Sequence, residues 1–133
     1  MSQSINLYKQ LAKHKLFNKS VNFNLNRIRL ALDLLGRPER KLKNVISVLG
    51  ESGKFTTLFT LKSFIGANKQ KVTTHISPSL RDIRERFYMG DRYLSHKEIK
   101  RTIKQIERLN IPLTVFECLT LVYIINASKI NSD

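Results

Sequence analysis

The stretch "NVISVLGESGKFTT", Asn44 to Thr57, constrains the fold of this chain more than any other. Val45 to Leu49 is an almost continuous apolar run, the pattern of a strand covered on both faces. Two glycines and a lysine interrupt it, and Leu58, Leu61 and Ile65 then recur at helical spacing until about Gly66. "KVTTHI", Lys71 to Ile76, is rich in β-branched residues and reads as a second strand. Strand, helix and strand in this short compass predict a βαβ unit, with parallel strands and a right-handed crossover. The expected fold class is therefore α/β, a parallel sheet with flanking helices.

Helical spacing also predicts two helices before this unit. Ile5, Tyr8, Leu11, Ala12 and Leu16 mark the first, and Leu25, Ile28, Ala31, Leu32 and Leu35 the second, which Gly36 and Pro38 stop. After it, "SPSLRDIRERFYMGDRYLS" from Ser77 reads as a long loop, and loops of that length in compact domains tend to carry function. Arg84, Glu85 and Arg86 within it read as a solvated face or local ion pairs. Ser95 with Glu98, and Thr114 with Glu117, have capping-box spacing and open two further helices.

With 133 residues and 41% hydrophobic content, the chain can build one core of ordinary size, so it is read as one domain or part of one. No stretch approaches the roughly 20 apolar residues of a membrane span, since Thr114, Glu117, Thr120 and Asn126 break even the last helix. The N-terminal "MSQSINLYKQLAKHKLF" lacks an apolar core and a small-residue cleavage site, so a cytoplasmic location is expected. Cys118 has no second thiol to pair with and lies on an apolar helix pattern, where it reads as a small buried hydrophobe.

The net charge of +14 raises nucleic-acid binding, because clustered lysines and arginines gain affinity for polyphosphates by counterion release. No helix-turn-helix, zinc-finger or RNP signature accompanies it, and the richness in Lys, Asn and Ile is a bias that an AT-rich genome can impose. Charge equally suits small polyanions such as ATP and polyglutamates, so nucleic acid is the less favoured partner.

A loop leaving a parallel strand and entering a helix is where α/β sheets bind ligands, and the first helical amides carry unsatisfied donors and partial positive charge. Gly50 and Gly53 would let those amides approach phosphate oxygens, Lys54 would add a full charge, and Thr56 would offer a hydroxyl to magnesium. The loop lacks the usual GxxxxGK[ST] spacing, and by the residues alone it is equally a glycine turn between two elements. By the residues alone Glu117 is the N3 acid of a capping box, Ser77-Pro78 a turn after a strand, and Lys54 a solvated lysine. His14, His75 and His96 show no metal-ligand spacing.

Four motifs taken together are more specific. GESGKFT after the first strand, SPSL after the second, RERFYMGDRYLS, and LTVFECLT opening a helix occur in the order of a family pattern. That pattern is roughly GTNGKGS, SPHL, an ER segment running to a glycine and a serine, and LTxFExxT. From about Val21 to Asn126 the chain resembles the N-terminal part of folylpolyglutamate synthase, a family that includes bifunctional dihydrofolate synthases and groups with the Mur ligases.

The resemblance implies an incomplete P-loop-type parallel sheet, the N-terminal part of a Mur-ligase-like ATPase domain, over residues 1–133. It implies ATP and Mg²⁺ as cofactors. Gly50, Ser52, Gly53, Lys54 and Thr56 would hold the ATP phosphates, with Lys54 catalytic on the β- and γ-phosphates. Thr56, Ser77 and Glu117 would ligate magnesium, and Val21, Asn22, Phe23 and Asn24 would lie near the pterin. The implied reaction joins L-glutamate to dihydropteroate or a folate through an acyl phosphate. Positioning and charge neutralisation carry most of such catalysis, which a lysine, helix amides and a metal ion can supply.

The departures are specific. Glu51 stands for Thr, Ser52 for Asn, Phe55 for a small residue and Ser79 for His, while "VNFN" replaces a segment with Asp and Gly. Glu51 would repel a triphosphate unless it turned outward, and Phe55 would crowd a close backbone approach. The family's later metal-binding histidine, modified lysine, adenine contacts and C-terminal glutamate-ligase domain have no counterpart here. A fragment, a split protein with a separately encoded C-terminal part, or a decayed and noncatalytic relative is therefore expected, monomeric unless that part joins it.

Overall fold

The computed structural model describes Lys13 and residues 24–130. The predicted first helix, Ile5 to Leu16, lies outside the described residues apart from Lys13, which is helical. Helix α1 spans Asn26–Leu34 and buries Ala31 and Leu32. Gly36 ends it with φ +77°: its N–H donates to the Asp33 carbonyl at 3.0 Å, and the Arg37 N–H to the Leu32 carbonyl at 2.8 Å. This is a Schellman cap, and its left-handed residue needs glycine for its backbone angle. A 3₁₀ turn, Pro38–Lys41, follows.

Helix α2 spans Lys54–Ala67, strand β1 Thr73–His75 and strand β2 Phe87–Met89. Helices α3, His96–Glu107, and α4, Val115–Ala127, complete the order. Both capping boxes form in full. The Glu98 N–H donates to Ser95 Oγ at 3.3 Å, while the Glu98 carboxylate accepts from the Ser95 N–H at 2.8 Å. The Glu117 N–H donates to Thr114 Oγ1 at 3.1 Å, and the Glu117 carboxylate accepts from the Thr114 N–H at 2.6 Å.

The core sits between α3, α4, α1 and β2. Ile99, Ile103 and Ile106 of α3 meet Cys118, Leu119, Leu121, Val122 and Ile125 of α4, with Phe87 and Met89 from β2 and Ile83 from a 3₁₀ turn, Ile83–Arg86. In β2 the alternate residues Phe87 and Met89 point inward while Tyr88 is half-buried, as the pleat requires. Cys118 is buried as expected, and burial pushes its thiol pKa up to about 12.

Two expectations fail. Val45 to Leu49 forms no regular secondary structure, and it makes no backbone hydrogen bond to another described residue. The sheet among the described residues is an antiparallel pair, with Thr73 opposite Met89, Thr74 opposite Tyr88 and His75 opposite Phe87. The α/β class holds in the coarse sense of helices around a small sheet, but among the described residues the parallel P-loop sheet and its βαβ unit are not formed. A run such as Val45 to Leu49 becomes a strand only when a neighbour takes its N–H and C=O groups, and the described residues provide none. The expected long loop also contains β2, which turns back on β1, the isolated bridge between Tyr88 and Tyr93, and a 3₁₀ turn.

Candidate phosphate loop and its neighbours

Gly50 has φ +141° and Gly53 φ +76°, angles that L side chains rarely adopt. At Gly53 an added Cβ would meet nothing within 4 Å, so backbone conformation rather than crowding calls for glycine. Gly53 is the N-cap of α2, and its carbonyl accepts the Thr57 N–H at 2.9 Å. No side chain caps this helix and no acid stands in its first turn. The N–H groups of Lys54, Phe55 and Thr56 thus keep their donor capacity, at the positive end of the helix dipole.

Lys54 lies across the loop. Its Nζ donates to the Gly50 carbonyl and, at 3.0 Å, to the Glu51 carbonyl. The lysine therefore shapes the loop that precedes it, and it is not a freely solvated chain. Glu51, Ser52 and Thr56 are exposed, and Phe55 is half-buried.

The other expected site residues are engaged locally. Ser77 Oγ accepts from a guanidinium N–H of Arg86 at 3.0 Å. Glu117 is buried, bonded to Thr114 as above, and 3.4 Å from the Arg27 guanidinium of α1. Asn24 Oδ1 accepts the Asn26 N–H at 2.8 Å at the entrance to α1, while Val21, Asn22 and Phe23 lie outside the described residues. No hydrogen bond or ion pair joins Lys54 or Thr56 to Ser77 or Glu117, and the described residues hold no cluster of three His, Cys, Asp or Glu side chains. The geometry thus leaves free amide donors and a lysine at the start of α2, and Ser77 and Glu117 as separately anchored oxygen atoms.

Arg86 corrects the expectation of a solvated face, since only 7% of its surface is exposed. It lies beneath the SPSL turn, and its carbonyl meets His75 Nδ1 at 3.0 Å. His75 is stacked between Phe87, at 5.6 Å, and Tyr123, at 5.1 Å, and burial lowers its pKa. Arg84 keeps the local ion pair expected of it, with Asp82 at 2.9 Å, and Glu85 accepts the Leu80 and Arg81 N–H groups.

Lys62 of α2 was not singled out by the sequence. Its Nζ sits 3.3 Å from the centre of the Tyr88 ring, with the Phe59 and Tyr93 ring centres 6.0 and 5.9 Å away. This cation–π contact ties α2 to β2. On the far side, Lys97, Lys100, Arg101 and Lys104 of α3, Arg108 at its C-cap and Lys129 line an open groove of about 810 Å³. None of these six is in an ion pair with a described acid.

No protein-family model matches the chain, and no curated protein matches it either. Solved structures do. A bifunctional folylpolyglutamate synthase/dihydrofolate synthase from Yersinia pestis, complexed with AMPPNP and Mn, superposes with a TM-score of 0.85 at 25% identity over 100% of this chain. E. coli FolC with DHPP and ADP gives 0.85 at 28% identity over 99% of the chain. A folylpolyglutamate synthase from Thermotoga maritima gives 0.79 at 22% identity, a likeness of fold. The chain spans 32%, 32% and 31% of the length of these proteins. In motif order and in fold alike, this chain resembles the N-terminal portion of the folylpolyglutamate and dihydrofolate synthases.

Proposed function

We propose that this chain is the phosphate-binding portion of an ATP-dependent ligase that joins L-glutamate to dihydropteroate or a folate. The observation that carries the reading is the uncapped N-terminus of α2 behind two left-handed glycines, with Lys54 folded onto the loop. In this reading the amides of Lys54 to Thr56 receive phosphate oxygens, and Lys54 exchanges its carbonyl partners for them. The residues fit a nucleotide triphosphate here because the loop offers donors and a cation with no acid in the first turn.

Magnesium is the expected metal, since Thr56, Ser77 and Glu117 are all oxygen donors suited to a hard cation. Ser77 and Glu117 would need to exchange bonds with Arg86 and Arg27 to reach it. When bound, ATP supplies the phosphoryl group that turns the substrate carboxylate into an acyl phosphate, from which glutamate's amine displaces phosphate. The chain's own contribution is to hold and neutralise the phosphates. Pterin binding near Val21 to Asn24, a cytoplasmic location and a single partial domain over residues 1–133 complete this reading. Complete catalysis would need the glutamate-binding parts of the longer synthases, so the 133 residues by themselves are read as inactive.

Calorimetry with Mg·ATP tests this. Saturable binding by the 133-residue chain, lost in Lys54→Ala at unchanged circular dichroism, is expected; a folded chain that binds no Mg·ATP refutes it. The basic groove along α3 favours a second reading, a surface for polyanions such as nucleic acid. Steeply salt-dependent binding to RNA or DNA, weakened by Lys100→Glu and untouched by ATP, would favour that reading.

A further inference from the structure

The outer face of α3 is organised by charge. Lys97, Lys100, Arg101 and Lys104, with Arg108 at the C-cap, recur at intervals of one to four residues, and all five are exposed. At about 3.6 residues per turn they fall within an arc of roughly 100° and run about 17 Å along the axis. The opposite arc carries Ile99, Thr102, Ile103 and Ile106, all buried. Packing on that side and the Ser95/Glu98 capping box hold the cationic stripe on a fixed rod.

A merely solvated helix face interleaves acids with bases, so that side chains one turn apart attract. Here Lys97 faces Arg101, Lys100 faces Lys104, and Lys104 faces Arg108, like-charged pairs at a spacing of four that each weaken a helix. Lys97 also stands in the first turn, where the helix dipole opposes a cation. Of the two acids in α3, Glu98 is taken by Arg92 at 2.7 Å and by the cap, and Glu107 falls at the edge of the stripe. The repulsion destabilises the helix and returns nothing to the fold, so the stripe answers to a ligand that brings the missing negative charge.

The shape of the site selects that ligand. A row of cations fits a linear polyanion better than a single phosphate group. Lys129, just beyond α4, stands across the groove of about 810 Å³, and such an open concave surface receives the convex ridge of a duplex backbone. Among the described residues no Phe, Tyr or Trp lines the groove, and its one ring, His96, is held with Nε2 3.4 Å from the Asp82 carboxylate. Proteins that grip single strands use aromatic platforms for the bases; this surface suits phosphates on the outside of a paired stack.

We propose that the α3 groove binds the phosphodiester backbone of double-stranded nucleic acid without regard to sequence, at a site that shares no residue with the glycine loop. This stands apart from the ligase reading and narrows the polyanion reading of the groove to one ligand. Each cation neutralises a phosphate and releases condensed counterions, which drives the association.

Fluorescence anisotropy on the full 133-residue chain, with a short labelled DNA duplex, its RNA counterpart and a single strand of thymidylate, tests the site. Five cations predict a slope of log K against log salt of about −4.5, a weakening of about 500-fold between about 50 and 200 mM KCl. Lys100→Gln combined with Lys104→Gln reduces the slope by about 2 and weakens binding at low salt at least about tenfold, with a melting temperature equal to or above the parent's. Lys100→Arg with Lys104→Arg retains binding. So does Lys43→Gln with Lys69→Gln, which removes the same charge from exposed positions elsewhere. Lys54→Ala also retains it, so failure of this site and failure of the ligase reading are told apart. Binding of one duplex alone assigns the groove to DNA or to RNA, and binding of neither overturns the proposal. It is equally overturned if thymidylate binds as tightly as the duplexes, if polyglutamate competes as well as unlabelled duplex, if the Lys43 and Lys69 pair matters as much as the groove pair, or if the groove glutamines lower the melting temperature.

Discussion

Residues 83–125 and residues 44–67 are both apolar segments joined by polar turns, yet they behave oppositely. In the first, Ile83, Phe87, Ile99, Ile106, Leu113 and Leu121 are all buried against one another. In the second, Val45, Ile46, Leu49, Phe59 and Phe64 face outward, and α2 is tied to the rest of the molecule through Lys62 on Tyr88. Both carry sequence patterns that announce a covered face. The difference teaches that such a pattern states that a face needs covering, while the identity of the cover depends on which other chain segments are present.

The comparison is open to direct attack. Phe87→Ala should cost about 3–5 kcal/mol by urea denaturation, as for other buried aromatic truncations, whereas Phe64→Ala should stay within about 0.5 kcal/mol. Equal costs would erase the distinction between the regions. Glu117→Ala should come next. It removes a capping box worth about 1 kcal/mol together with the ion pair to Arg27, so a loss of about 1–2 kcal/mol is expected by the same measurement.

Lys62→Ala tests the tether. Such a contact is worth about 0.5–1 kcal/mol at an exposed site, and hydrogen exchange should quicken along Lys54–Ala67 while α3 and α4 keep their protection. Uniform quickening would show that the two regions open as one unit. The smallest effect is an acid sensitivity confined to the packed region. Burial holds the His75 imidazole below its ordinary 6.5, so the unfolded chain takes up the proton first. Stability should therefore be full above about pH 6.5 and decline below it, and His75→Phe should flatten that decline between about pH 7 and 5.

What the sequence disclosed was whatever depends on near neighbours. The Ser95/Glu98 and Thr114/Glu117 boxes and the stop at Gly36 are decided within a few residues, and all formed as read. The glycine geometry before Lys54 is equally local. Val45–Leu49 is not a strand because no described residue pairs with it, and β2 escaped notice because three residues are too few to show alternation. The burial of Arg86 was hidden because it depends on strand β1 folding back beside it and on Ser77, nine residues away. For Glu117 the local capping role was legible and is seen, and a metal role asks for a partner outside its own helix.

The Lys62 contact carries a practical consequence. The chain has no tryptophan and four tyrosines, so its near-ultraviolet emission comes from tyrosine. Tyr88 and Tyr93 lie edge to face at 5.4 Å, with the ammonium group over Tyr88 at 3.3 Å and 5.9 Å from the centre of Tyr93. Any displacement of the helix behind the glycine loop alters the surroundings of two of the four emitters, so the protein carries its own optical gauge of that helix without a label.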